Sequence, residues 1–137
     1  MKHSFKQKIF YSDTDAYCVV WHGAYLRWLE MGRVLWCEQN GYSLVDLQKQ
    51  DIVLPVVEID IKYKYPAKLN DNIIIETSLD KFNSLSFTFK QIIKSCDNKI
   101  FTHATVSVVA VHNDGKLYRK LPDFMLKLFE RELYEVK

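Results

Sequence analysis

Two carboxylates, Asp13 and Asp15, stand one residue apart in the segment Tyr11-Ser12-Asp13-Thr14-Asp15-Ala16-Tyr17-Cys18-Val19-Val20-Trp21-His22. An apolar stretch then delivers a histidine to the start of a helical pattern. A carboxylate can act as base or nucleophile, and first-turn N–H groups that lack an intrahelical partner can hold a developing oxyanion. Position 21 is Trp rather than Ser, Thr, Asp or Asn, so this helix start has no obvious side-chain cap. An isolated Asp-Thr-Asp is more often a turn that ends a strand, and Asp13 is assigned that role. Asp15 is the residue expected to do chemistry. His22 matters first through its backbone N–H, at the head of the helix. Cys18 has only His22 as a conceivable basic partner, which makes a thiol nucleophile the weaker reading.

These residues need elements to hold them. Residues 4–11 read as a first strand, with Phe5, Ile9 and Tyr11 at even spacings. From 22 to 40 the period changes: Tyr25, Trp28, Leu29, Gly32, Leu35 and Trp36 recur every three or four residues, and Asn40-Gly41 is a stop signal. Gly32 on that stripe suggests the close passage of another backbone. A shorter helix is expected over 44–50. Over 57–65 Val, Ile and Tyr alternate with Glu, Asp and Lys, the pattern of a strand with one wet face. Further strands follow at 73–81, 85–94 and 101–112, separated by Asn-, Asp- and Ser-rich turns, and Pro122 opens a helix over 123–134. The order predicts an α+β fold: an antiparallel β-sheet wrapped around one long central α-helix, in a single domain spanning 1–137.

At 137 residues, with 48% hydrophobic and 14% aromatic residues, the chain can build one packed core. A formal charge of +2 implies no nucleic-acid or acidic-membrane partner. There is no signal-like segment and no apolar run of membrane-spanning length, and three cysteines without metal spacing fit a reduced, cytoplasmic protein. Cys37 and Cys96 are expected to be buried thiols, Trp21, Trp28 and Trp36 core or interface aromatics, and Glu30 with Arg33 an ion pair on the helix surface or at an interface. His3, His103 and His112 receive no role, and no metal-ligand constellation is evident.

Tyr11, Asp13, Thr14, Asp15, Val19, Val20, His22, Tyr25, Leu26, Glu30 and Arg33 together form a spaced pattern. It resembles the hotdog-fold acyl-CoA thioesterases of the 4-hydroxybenzoyl-CoA thioesterase family, including 1,4-dihydroxy-2-naphthoyl-CoA hydrolase-like members, some of which serve quinone biosynthesis. The resemblance implies a hotdog fold and a homodimer or homotetramer with active sites at the dimer interface. It implies Asp15 as nucleophile or base, the His22 N–H as oxyanion donor, and supporting roles for Tyr11 and the His22 ring. No cofactor is implied, since coenzyme A is part of the substrate. Many members carry glycine where this chain has Tyr17 and Cys18, so these two residues, with Trp21, are expected to shape the acyl pocket. Lys62, Lys64, Lys68, Lys90 and Arg119 are candidates for the coenzyme phosphates. An aromatic acyl group is favoured over a short aliphatic one. A non-catalytic hotdog module that binds an acyl carrier or partner enzyme is the alternative from another class.

Overall fold

The apolar stripe becomes one long helix, α1 (His22–Gln39), in the computed structural model, which describes residues 2–135. The ends of the expected 1–137 domain, Met1 and residues 136–137, lie outside the described residues. Ala24, Tyr25, Trp28, Leu29, Gly32, Trp36 and Cys37 are the buried positions of α1. The helix closes in a Schellman arrangement: the Gly41 N–H donates to the Glu38 carbonyl at 3.1 Å and the Tyr42 N–H to Cys37 at 3.2 Å. Gly41 sits at φ +99°, where a side chain would be strained.

Five strands, β1 (His3–Lys8), β2 (Val56–Tyr63), β3 (Asn72–Phe82), β4 (Ser86–Ser95) and β5 (Ile100–Val109), form one antiparallel sheet in the order β1-β3-β4-β5-β2. This arrangement is the hotdog fold. A short helix, α2 (Leu44–Lys49), is capped by the Ser43 hydroxyl, which accepts the Asp46 N–H at 3.1 Å. At the other end α3 (Asp123–Glu130) packs Phe129 against Trp36 and Phe87. It gives way to a π-helical turn, Arg131–Glu135, so the C-terminal α-helix is shorter than its apolar pattern predicts. No helix among the described residues is long and apolar enough to cross a membrane.

The core divides along α1. Tyr25, Trp28 and Leu29 pack with Ile73, Ile75, Ile93 and Ala104 at the N-terminal end, while Trp36 and Cys37 pack with Phe87, Phe89, Leu121 and Phe129 at the other. Gly32 lies between them. A Cβ there would stand 2.5 Å from Thr77 Oγ1 and 3.0 Å from both Gln91 Nε2 and Ile75 Cγ2. Side chains of the sheet, rather than a passing backbone, are what this glycine admits. Thr77 and Gln91 are register partners on β3 and β4. The buried Gln91 amide donates to the Leu29 carbonyl at 2.8 Å and to Thr77 Oγ1 at 2.9 Å, and its oxygen accepts from Arg33 Nη1 at 3.0 Å. A polar clasp therefore fastens an otherwise apolar helix to the sheet.

Three expectations change. The alternation in β2 is real, but its apolar members are largely uncovered, with Val57 58% and Ile59 41% exposed, because β2 is an outer strand paired only with β5. Cys96 is exposed in the β4–β5 turn, whereas Cys37 is buried and its thiol is pushed up to about 11 by that burial. Arg33 bonds Gln91 and makes no ion pair with Glu30.

Gly32→Ala forces Thr77 and Gln91 apart and should destabilise the fold by about 1–3 kcal/mol. A lowered urea midpoint with an unchanged m-value is the expected observation; an unchanged midpoint would show that the clasp yields freely.

Candidate active site

The segment between β1 and α1 is a short hairpin-like loop. The Asp15 N–H donates to the Val19 carbonyl at 2.9 Å, the Cys18 N–H to Asp15 at 3.0 Å, and Thr14 bridges Val20. Cys18 adopts φ +63°, the left-handed residue that follows a tight turn and is commonly glycine. This gives the Cys18 departure a backbone meaning.

Asp13 and Asp15 have separate surroundings. Asp13 is 3% exposed: its carboxylate accepts the Phe10 N–H at 2.9 Å and pairs with Arg27 of α1, while its carbonyl accepts the Trp21 N–H at 3.0 Å. Its role as a turn residue thus extends to holding the helix start. Asp15 is exposed and accepts the Tyr17 N–H at 2.8 Å through Oδ1. The other Asp15 oxygen has no hydrogen-bond partner among the described residues.

Trp21, the residue before α1, supplies no side-chain cap. Its indole folds over Gly23 instead; a Cβ on Gly23 would fall 2.0 Å from the ring. The ring also meets the His22 imidazole edge-on at 5.8 Å. In the first turn of α1 the Ala24 N–H donates to the Trp21 carbonyl at 3.0 Å, while those of His22 and Gly23 have no partner among the described residues and keep their capacity to bind an anion.

Asp15 and His22 open onto one cleft of about 290 Å³, lined also by Val20, Tyr25, Tyr63, Lys64, Tyr65 and Pro66. Tyr63, at the end of β2, donates its hydroxyl to the His22 carbonyl at 3.1 Å and meets Tyr25 edge-on at 5.4 Å. The Tyr25 hydroxyl accepts the Ala67 N–H at 3.0 Å, and the Ala67 carbonyl accepts the Val20 N–H at 2.8 Å. Burial pushes both phenols above the ordinary tyrosine range; for Tyr25 the Ala67 N–H works against it. Both are thus neutral near pH 7, as fixed hydrogen-bonding groups.

Of the sequence-expected site residues, the structure brings together Asp15 and His22. Tyr11 (82% exposed), Tyr17 (85%), Cys18 and Trp21 (43%) do not line this cleft within one chain. Among the basic candidates Lys64 lines it and Lys68 bridges Val19, whereas Lys62, Lys90 and Arg119 do neither. Tyr63, Tyr65 and Pro66 were not singled out by sequence. Their one signal is position, at the end of the alternating strand and at the proline that stops it. The contact between residues 63 and 22 is long-range and leaves no local trace. Among the described residues no group of three or more His, Cys, Asp or Glu side chains converges.

An uncommitted carboxylate oxygen beside an open helix N-terminus can attack an activated carbonyl, or direct water at it, while the N–H groups take the oxygen's charge.

The model of the thioesterase-like superfamily matches residues 11–129. The acyl-CoA thioester hydrolase YbgC of Escherichia coli is 28% identical over 124 residues, covering 90% of this chain and 92% of that protein. The crystal structure of Slr0204, a 1,4-dihydroxy-2-naphthoyl-CoA thioesterase from Synechocystis, aligns with TM-score 0.84 at 18% identity over 94% of this chain and 96% of its own. A 4-hydroxybenzoyl-CoA thioesterase complexed with 4-hydroxybenzoyl-CoA aligns with TM-score 0.82 at 21% identity over 93% and 98%.

Replacing Cys18 with Gly removes a left-handed strain of about 1–2 kcal/mol and adds roughly 0.5–1 kcal/mol of unfolded-chain freedom. Cys18→Gly should therefore raise stability by about 0.5–1 kcal/mol in urea denaturation. A loss of stability would mean that the Cys18 side chain makes contacts that outweigh its backbone strain.

Proposed function

The chain belongs to the thioesterase-like superfamily and hydrolyses acyl-CoA thioesters, and we propose that Asp15 and the start of α1 carry out that reaction on an aromatic acyl group. The observation that carries the assignment is the single cleft shared by the exposed Asp15 carboxylate and the uncapped helix start. The thioester carbonyl oxygen rests on the His22 N–H as negative charge develops there. Either Asp15 attacks the carbonyl carbon, the C–S bond breaks to release coenzyme A as thiolate, and water hydrolyses the resulting aspartyl–acyl anhydride to the free acid; or Asp15 takes the proton of a water that attacks the carbonyl, and the C–S bond breaks to give the acid and the thiolate directly. Tyr63 holds the His22 carbonyl, and with it the first turn. Lys64, which lines the cleft, is the basic candidate for a phosphate of the coenzyme in this reading. Tyr25, Tyr63 and Tyr65 give the cleft its aromatic lining, in place of the expected Tyr17 and Trp21, and this favours a flat acyl group.

A homodimer belongs to the same reading. An outer strand with bare Val57, Ile59 and Tyr63 is an unpaired backbone edge and an unfilled apolar face at once, which a second copy of β2 would satisfy.

A panel of aromatic and aliphatic acyl-CoAs, with thiol release as readout, tests the chemistry. Asp15→Asn and Asp15→Ala should each lower kcat/KM by about 10²–10⁴-fold. Full turnover in both would remove Asp15 from the mechanism. Ile59→Lys, by burying charge at the strand edge, should shift the mass in light scattering from two chains to one and lower activity with it; an unchanged mass would place the interface elsewhere.

A further inference from the structure

The His22 carbonyl carries a hydrogen bond that the helix does not require. As the first residue of α1 it already faces the Leu26 N–H one turn on, and Tyr63 donates its phenol to the same oxygen at 3.1 Å. A carbonyl oxygen has two lone pairs, so both bonds are made. The second donor is the last residue of β2, 41 positions along the chain, and it lines the Asp15 cleft. An edge-on contact with Tyr25 at 5.4 Å holds its ring in place. Burial keeps the phenol above the ordinary tyrosine range, so it is a neutral donor near pH 7.

The His22 carbonyl and the Gly23 N–H belong to one peptide unit. Peptide resonance couples its two ends: a donor on the oxygen draws electron density from the nitrogen and strengthens the N–H as a donor. Among the described residues the N–H groups of His22 and Gly23 have no partner. In a first helical turn such groups point the same way, out along the axis. The unit is held at both ends, because the Trp21 indole stands 2.0 Å from where a Gly23 side chain would begin and the phenol ties the carbonyl.

We infer that Tyr63 is a positioning residue for thioester hydrolysis: its phenol orients and polarises the His22–Gly23 peptide so that the Gly23 N–H joins the His22 N–H in taking the oxyanion's charge. This role rests on the reading of Asp15 and the start of α1 as the hydrolytic site. No bond of Tyr63 is made or broken, and its proton stays on the phenol oxygen. Charge on the thioester oxygen is greatest in the transition state, so the gain falls on kcat rather than on substrate binding.

The test begins with benzoyl-CoA hydrolysis. Tyr63→Phe should lower kcat by about 5- to 20-fold with KM within about twofold. Replacement of Tyr63 by 3-fluorotyrosine, a more acidic phenol, should raise kcat above that of the parent at a pH where the phenol is still protonated. A hydroxyl that only anchors β2 to α1 would not give that rise. Thermal unfolding and light scattering check each variant, and the fluorinated protein decides the matter if Tyr63→Phe is unstable or dissociates. A second readout needs no turnover: the infrared carbonyl stretch of a bound ketone analogue of benzoyl-CoA, with a methylene in place of the sulfur. The stretch should lie at a higher frequency in Tyr63→Phe than in the parent protein. Equal kcat or equal stretches in the two proteins overturn the role of Tyr63 and leave the Asp15 site standing. Full turnover in Asp15→Asn, or a parent stretch no lower than that of the analogue in water, overturns the site itself and this role with it.

Discussion

The position of α1 on the sheet is the constraint on which the site depends, and Gly32 with Gln91 sets it. An apolar stripe is attracted to an apolar sheet without direction, so burial of Trp28, Leu29 and Trp36 alone leaves the helix free to slide and turn. Hydrogen bonds from one buried amide to the Leu29 carbonyl and to Thr77, with Arg33 donating to its oxygen, are directional and admit one placement. That placement needs the close approach which only a glycine at position 32 permits. Fixing the middle of an 18-residue helix fixes its ends, and one end is the candidate oxyanion site.

Local contacts then refine the helix start. Asp13 joins the Phe10 N–H, the Arg27 guanidinium and the Trp21 N–H, which ties loop to helix and leaves Asp15 outside that network. Two carboxylates two positions apart thus divide structure from chemistry by environment. Ala67 does similar work from the other side, between Tyr25 and Val20. The Trp21 ring covers Gly23 and its carbonyl takes the Ala24 N–H, but neither occupies the N–H groups of His22 and Gly23, so the helix end is partly shielded from solvent yet without a side-chain cap. Shielding of that kind strengthens an N–H contact to a developing anion.

Much of this was legible in the sequence where the physics is local. Periods of 3.6 and 2 located α1 and the five strands, and the absence of a capping residue at position 21 predicted an open helix start. The Gly-preferring turn position announced itself only as an anomaly at Cys18, because a single chain does not report φ. What sequence missed is set by distance along the chain. Tyr63 read as one more member of an alternating strand, and nothing within several residues indicates that its hydroxyl meets His22. Likewise, alternation in β2 predicts an apolar face but not what covers it, and Cys96 has the composition of a core residue at a position that the turn exposes.

The bare face of β2 and the Tyr63 contact lie on the same eight-residue strand, and that proximity has a physical consequence. An outer strand held on one side only is among the elements most ready to open locally. Tyr63 at its end reaches the His22 carbonyl, so any fraying there loosens the wall of the Asp15 cleft. A second copy bonded along the free edge would supply the missing half of the ladder and suppress that fraying. Under the dimer proposed above, association and catalytic geometry are therefore linked through one strand, even before any residue of the second copy touches the substrate.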